Sequence, residues 1–161
     1  MKKALTAAGA QAKIVAPRLG FLTSDKGVQV KIDFSLLTTS SVLFDAVYVP
    51  GGEESVAALK GEAEAINFVN EAYKHCKTIA ATGAGIELLR ASNLGAEELA
   101  GQNAKADGLV AEEGVIISRD ALDGNVAPEF IKAIAQHRHW SREPKNPVPA
   151  KRLAPSAYRT V

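Results

Sequence analysis

The sequence is poor in residues that mark several classes of protein. Its single cysteine, Cys76, excludes an internal disulfide framework and a zinc site built from several cysteines. Lys and Arg number 19 against 18 Asp and Glu, and this balance argues against a dedicated nucleic-acid-binding protein, which carries a clear basic excess. No apolar run approaches the roughly 20 residues that a membrane span needs. We therefore expect neither nucleic acid nor a membrane as a partner.

What the sequence contains is typical of a globular domain. The 161 residues are 47% hydrophobic and 23% charged, and this length fits one compact domain. The basic start at Met1 is not followed by the apolar stretch of a secretory signal, which predicts a cytoplasmic protein. Four of the seven prolines lie at position 144 or later. We therefore divide the chain into a domain over residues 1–143 and a Pro-rich C-terminal tail over residues 144–161.

Strand and helix patterns alternate along the domain. Residues 19–32 predict a β-hairpin, and the continuous apolar run Asp45–Val49 is typical of a strand buried on both faces. Apolar residues three and four apart predict a helix over residues 62–76, and Pro128 is placed as the first residue of a later helix. The alternation predicts an α/β fold with a mainly parallel sheet. In such sheets, function lies at the carboxyl ends of the strands.

Two turns that follow predicted strands are candidate sites. The first is Pro50-Gly51-Gly52, whose amides could stabilise an oxyanion. The second is Thr82-Gly83-Ala84-Gly85, where a strand, a sharp turn and a helix have the order of a nucleophile elbow. A catalytic elbow needs Cys or Ser at its tip and a base beside it, and the second turn has neither. We interpret the second turn as a degenerate elbow and the first turn as purely structural. The alternative for each turn is a ligand-binding loop.

Four further features favour structural roles. The pair Glu53-Glu54 suits a solvated helix N-terminus better than an acid/base pair, and Cys76 is predicted to be a buried, inert thiol. On a helix, His137 and His139 would point about 200° apart, which disfavours a metal site. Trp140 is expected to anchor the last helix against the sheet or a partner domain.

The strand Asp45–Gly52 resembles the D-x-hydrophobic-x-x-P-G-G strand of the class I glutamine amidotransferase-like superfamily. The segment Lys77–Leu89 is similar to the superfamily's elbow, K-x-I-A-A-I-C-H-G-x-x-L-L. In that alignment Gly83 stands where the family has its nucleophilic Cys, and Ala84 where many members have the following His. The resemblance implies a flavodoxin-like three-layer sandwich in which both catalytic side chains are absent.

A narrower resemblance covers about residues 2 to 150. Three strings, Asp33–Asp45, Glu71–His75 and Ala135–Arg142, are similar to the C-terminal flavodoxin-like domain of large-subunit haem catalases. The resemblance implies a catalytically silent domain that contributes to stability, assembly or chaperone-like protection. The parent enzyme would dismutate hydrogen peroxide in the response to oxidative stress. The implied partners are the catalase core and unfolded client proteins.

The same resemblance implies that haem belongs to the core and that this chain holds no cofactor and no metal. The three tyrosines, Tyr48, Tyr73 and Tyr158, do not stand in the R-x-x-x-Y setting that a haem ligand needs. The alternatives to a silent domain are a stand-alone amidotransferase-like or deglycase-type enzyme and a small-ligand binder, each with an atypical site.

The family's first strand would precede Met1, so the fold is expected to lack it. The predicted strands near residues 12–15 and 46–49 would then each present an open edge, and such edges recruit other chains. We therefore expect a homo-oligomer. The segment Ala157–Val161 has strand character and is a candidate to fill the gap.

Overall fold

A computed structural model describes residues 1–24, 27–94 and 108–143. The described strands are β1 (Val15–Ala16), β2 (Phe21–Thr23), β3 (Gln29–Lys31), β4 (Phe34–Ser35), β5 (Ala46–Val49), β6 (Thr78–Thr82), β7 (Val110–Glu112) and β8 (Val115–Ser118). The described helices are α1 (Lys2–Ala7), α2 (Glu53–Lys60), α3 (Ala63–Lys74), α4 (Ile86–Arg90) and α5 (Val126–Ile134). Short 3-10 turns occupy Ser41–Leu43, Gly83–Gly85 and Trp140–Arg142.

The largest sheet has the order β5-β6-β8-β7. Strands β5, β6 and β8 run parallel, and β7 pairs antiparallel with β8. All five residues of β6 are buried, because helices cover both of its faces. Apolar residues of α2, α3 and α4 pack on one face, and those of α1 and α5 pack on the other. The predicted mixed α/β architecture with a mainly parallel sheet is confirmed.

Strand β5 is less buried than its apolar sequence predicts. Its first three residues are half-buried and only Val49 is fully buried, so the expectation of a strand buried on both faces is wrong for most of β5. The reason is position, because among the described strands β5 pairs only with β6 and forms the edge of the sheet. Strand β1 pairs with β4 in a separate two-stranded parallel sheet. Among the described strands, β1 and β5 each pair on one side only, which agrees with the open edges expected near residues 12–15 and 46–49.

Two helix boundaries differ from the sequence-based expectation. Helix α5 begins at Val126, so Pro128 is its third residue and not its first. A proline is tolerated there because amides of the first turn have no intrahelical acceptor. Helix α3 ends at Lys74, and Cys76 lies beyond it with a positive φ of 56° as the chain turns into β6.

The predicted hairpin is confirmed as the antiparallel pair β2–β3, which forms a third sheet. Residues 25 and 26 of its turn, and the tail over residues 144–161, lie outside the described residues. None of the helices in the described ranges is long and apolar enough to cross a membrane.

Candidate functional site

The turn Thr82–Gly85 carries the chain from the end of β6 into α4. Gly83 begins a 3-10 turn with a positive φ of 50°, a backbone conformation that side-chain-bearing residues rarely adopt. Thr82 before it is still extended, with φ −128°. The sharp strand-to-helix reversal of a nucleophile elbow is therefore present, and a glycine stands at its tip.

The structure brings the two candidate turns together. A Cβ added at Gly51 would lie 2.7 Å from the carbonyl oxygen of Thr82, and one added at Gly85 would lie 2.5 Å from the carbonyl oxygen of Val49. Both distances are too short for any side chain. Pro50-Gly51-Gly52 and Thr82–Gly85 thus pack backbone against backbone, and their glycines are required by this close approach.

The space at the elbow tip is occupied by neighbouring groups. A Cβ at Gly83 would lie 3.3 Å from the Cβ of Ala121 and 3.4 Å from the Cα of Gly51. Ala84, the next residue, is half-buried and packs against the apolar core. A Cβ at the tip would therefore be a tight fit and would require Ala121 to shift by a few tenths of an ångström.

The hydroxyl groups beside the elbow already have hydrogen-bond partners. Thr82 Oγ1 lies 2.9 Å from the hydroxyl of Tyr48. Ser118, its neighbour across the β6–β8 pair, donates to Asp123 Oδ2 at 2.9 Å. Hydrogen bonds from the amide of Asn125 and the hydroxyl of Ser118 hold the pKa of Asp123 below its usual value. No imidazole takes part in these contacts among the described residues, and the lowered pKa makes the Asp123 carboxylate a weak base toward Ser118.

Cys76 cannot replace the missing nucleophile. It precedes β6 whereas Gly83 follows it, so the two lie beyond opposite ends of a five-residue strand, which itself spans about 17 Å at about 3.3 Å per residue. Burial raises the pKa of the Cys76 thiol, and the thiolate is therefore disfavoured. The prediction of a buried thiol is confirmed, although Cys76 does not lie on the helix as expected.

The carboxylates of Glu53 and Glu54 lie exposed in the first turn of α2. Negative charge is favourable at a helix N-terminus, which agrees with the structural interpretation.

A second polar cluster lies at the opposite end of β6, where the sequence signalled nothing. The buried Lys77 donates through Nζ to the carbonyl oxygens of Ser41 and Phe44, at 2.6 and 2.7 Å. Burial lowers the pKa of Lys77. This side chain fastens the 3-10 turn Ser41–Leu43 to the sheet.

The segment 139–142 closes the same end of the sheet. The amide of His139 donates to the carbonyl oxygen of Cys76 at 2.7 Å. The ring nitrogen Nε2 of His139 lies 3.0 Å from Thr78 Oγ1. The guanidinium of Arg142 donates to the carbonyl oxygen of Lys77 and lies 4.7 Å from the centre of the Tyr73 ring. These contacts hold the chain that leaves α5 against the start of β6.

One expectation about this segment is wrong, and another is wrong in part. His137 and His139 lie beyond the end of α5 and not on a helix; His137 is exposed and His139 is buried. Trp140 is 64% exposed, so it does not anchor the last helix on the sheet, and the buried side chain is Arg142. Contact of Trp140 with a partner domain stays a prediction.

The tyrosines in the described ranges already have other contacts. Tyr48 is hydrogen-bonded to Thr82 and packs on Phe130, and Tyr73 is buried beneath Arg142. A groove of about 260 Å³ on the described surface has a mixed lining of polar and apolar residues, among them Glu113, Glu129, Lys132 and Ile116. Within the described ranges, no group of three or more His, Cys, Asp or Glu side chains could hold a metal ion.

Residues 1–144 match the family described as the C-terminal domain found in long catalases. Catalase HPII of Mycobacterium avium is 38% identical over 138 residues, which cover 83% of this chain and 19% of that protein. Catalase-2 of Bacillus subtilis is 38% identical over 141 residues, which cover 87% of this chain and 18% of that protein. The chain thus spans about a fifth of the length of these relatives.

Solved structures with low sequence identity share the fold. A ThiJ/PfpI domain protein from Brachyspira murdochii has a TM-score of 0.71 at 17% identity, covering 84% of this chain and 86% of that one. DJ-1 of Schizosaccharomyces pombe has a TM-score of 0.63 at 19% identity, covering 91% and 90%. These likenesses confirm the predicted flavodoxin-like fold. The match over residues 1–144 and the relatives at 38% identity identify the chain as a member of the family of C-terminal domains of long catalases.

Proposed function

We propose that this chain is a catalytically silent domain that contributes to the stability and assembly of a long catalase. One observation carries the proposal: the elbow keeps its backbone shape, but glycine stands at its tip and Ala121 lies against it. A turn that retains the shape of a catalytic site and has lost the nucleophile and the base is expected to serve packing alone. Dismutation of hydrogen peroxide, and the haem it requires, would belong to the rest of the enzyme.

The proposal is tested by assaying the purified chain for three activities. We expect no oxygen release from peroxide after incubation with haem, no Soret band from bound haem, and no turnover of methylglyoxal or of a peptide panel. The matched variants are Thr82→Val, which removes the hydroxyl nearest the elbow, and Cys76→Ala. Turnover that disappears in either variant would contradict a silent domain and would identify the group responsible.

Self-association through an open strand edge is a second candidate function. Among the described strands β5 pairs on one side only, and Ala46, Val47 and Tyr48 are half-buried. An open edge of this kind can pair with a second copy or hold an unfolded client in extended form. The segment Ala157–Val161, which the sequence suggests as a strand for this gap, lies outside the described residues.

Two measurements test this candidate. Light scattering should show a homo-oligomer, and the chain should suppress aggregation of a heated client protein at stoichiometric amounts. A monomer that gives no protection would remove both the self-association and the chaperone-like role, and would leave packing against the catalase core as the function.

The other roles have less support. An amidotransferase-like enzyme would need a nucleophile at Gly83, and one side of the turn Pro50-Gly51-Gly52 is already packed on the backbone of Thr82. A ligand-induced rise in the melting temperature would favour a small-ligand binder. A cytoplasmic location accords with the proposed role, and fractionation of the source cells would test it.

A further inference from the structure

The β2–β3 hairpin stands apart from the other sheets. Its strands pair only with each other among the described strands, with Leu22 opposite Val30. Its base is closed by a 3.0 Å hydrogen bond from the amide of Ile32 to the carbonyl oxygen of Gly20. A two-stranded hairpin is marginally stable alone in water, so an additional surface would stabilise this one.

The hairpin exposes large apolar side chains on both of its faces. Because side chains alternate along a strand, Leu22 and Val28 lie on one face and Phe21 on the other. Phe21 is 64%, Leu22 46% and Val28 58% exposed, and Leu19 at the base is also exposed. We call Leu19, Phe21, Leu22 and Val28 the hairpin patch. Clustered exposed apolar side chains mark interaction sites more often than single ones do.

The groove of about 260 Å³ on the described surface of this chain is a poor fit to an apolar patch, because Glu113, Glu129 and Lys132 lie among its mixed polar and apolar lining residues. In the relatives from Mycobacterium avium and Bacillus subtilis, the matching segment is 19% and 18% of the protein. In such proteins a polypeptide about four times larger accompanies the domain.

We propose that the hairpin patch docks into an apolar cleft on the remainder of a long catalase. The inference rests on the proposed packing function and adds to it the surface that makes the contact. Burial of Phe21 and Leu22 in the partner would replace their exposure to water. Each such side chain, once fully buried, shifts a docking equilibrium by about tenfold or more.

The test uses Catalase-2 of Bacillus subtilis in which the domain matching this chain is replaced by this chain. Hydrogen exchange is measured at the amides of Val28 and Ile32, in this chimeric enzyme and in the isolated chain. The variant is Phe21→Ser/Leu22→Ser. The matched control is Leu122→Ser, because Leu122 is a 91% exposed apolar residue in a loop outside the hairpin.

We expect the hairpin amides to exchange more slowly in the chimera than in the isolated chain. The Phe21→Ser/Leu22→Ser variant should accelerate that exchange at least tenfold in the chimera, and Leu122→Ser should not. In the isolated chain neither variant should lower the melting temperature, since the replaced side chains are exposed.

The possible failures are distinguishable. Suppose that the hairpin amides exchange equally fast in the chimera and in the isolated chain, and that the chimera is more heat-stable than the enzyme truncated before this domain. This result overturns the hairpin inference and leaves the packing function intact. A chimera no more stable than the truncated enzyme overturns the packing function itself. A hairpin variant that converts an oligomer of the isolated chain into a monomer assigns the patch to a second copy instead.

Discussion

Mild acid is predicted to destabilise the domain through His139. This side chain is 7% exposed, and its Nε2 lies against the hydroxyl of Thr78. Burial lowers the pKa of His139, and Arg142 lowers it further; a hydrogen bond with the backbone of Ala133 and the charge of Glu113 oppose these effects. The folded imidazole therefore binds a proton less readily than the exposed imidazole of the unfolded chain.

This difference in proton binding determines the direction of the change in stability with pH and the pH range in which it occurs. The unfolded imidazole titrates near pH 6.5, so below that pH the unfolded state binds more protons than the folded state. Stability then falls as the pH falls, by at most about 1.4 kcal/mol per pH unit for one group. The loss ends once the pH drops below the folded pKa, and the full contribution is present above about pH 6.5.

Urea denaturation followed by far-ultraviolet circular dichroism at pH 7.5, 6.5 and 5.5 measures the effect. The His139→Gln variant should be less stable than wild type at pH 7.5 and should lose most of the dependence on pH between 6.5 and 5.5. The control is His137→Asn, because His137 is exposed and has a positive φ of 64° that Asn tolerates. An unchanged pH slope in His139→Gln, or a wild type more stable at pH 5.5, would refute this reasoning.

Three further substitutions or reactions test the packing at the two ends of β6. Gly85→Ala should lower the free energy of unfolding by about 3 kcal/mol, because the added Cβ meets the carbonyl oxygen of Val49. The control Gly124→Ala, whose added Cβ meets nothing within 4 Å, should change that free energy by no more than about 0.5 kcal/mol. Equal urea midpoints for the two variants would contradict the close backbone approach. Arg142→Ala should lower the free energy of unfolding by about 3 kcal/mol, because it removes a charge-assisted hydrogen bond to Lys77 and the contact with Tyr73. The control Arg90→Ala, at an exposed position, should lower it by less than about 1 kcal/mol. Thermal melts that rank the two variants the other way would show that Arg142 is not a structural anchor. Cys76 should react with a thiol reagent at pH 8 only as the chain unfolds in urea, since it is buried with a raised pKa; rapid labelling in buffer would show an accessible thiolate.

The turns at the carboxyl ends of the strands were predictable because their signals are local. Pro50-Gly51-Gly52 and Gly83-Ala84-Gly85 interrupt apolar runs, and glycine at such points indicates a tight turn or a close backbone approach. The sequence could not show that the two turns touch each other. That contact depends on β5 and β6 being neighbours in the sheet, which is a property of the topology.

The polar cluster at the other end of β6 could not be predicted. Its hydrogen bonds join residues 36 and 61 positions apart in the chain, as between Lys77 and Ser41 or Thr78 and His139, and hydrophobic periodicity carries no information about such partners. The usual preference for aromatic residues inside and charged residues outside predicts a buried Trp140 and an exposed Arg142, and the structure shows the reverse. Arg142 is buried because a carbonyl group and an aromatic ring receive its guanidinium there.

The half-burial of β5 was missed for a related reason. A continuous apolar run predicts contact on both faces but does not say how many strands flank it. Ala46, Val47 and Tyr48 have the composition of a central strand and the exposure of an edge strand. This mismatch is the physical basis for expecting a further polypeptide segment or a second copy at that edge.

The claim that this domain stabilises a long catalase without taking part in its chemistry is tested most directly by one time course. Peroxide consumption is followed during incubation at raised temperature, for the Bacillus subtilis chimera that carries this chain and for the same enzyme truncated before the domain. The predicted result is an equal initial kcat/KM in both enzymes and a longer half-life of activity in the chimera. An equal half-life, or an initial kcat/KM that depends on the domain, would contradict the claim.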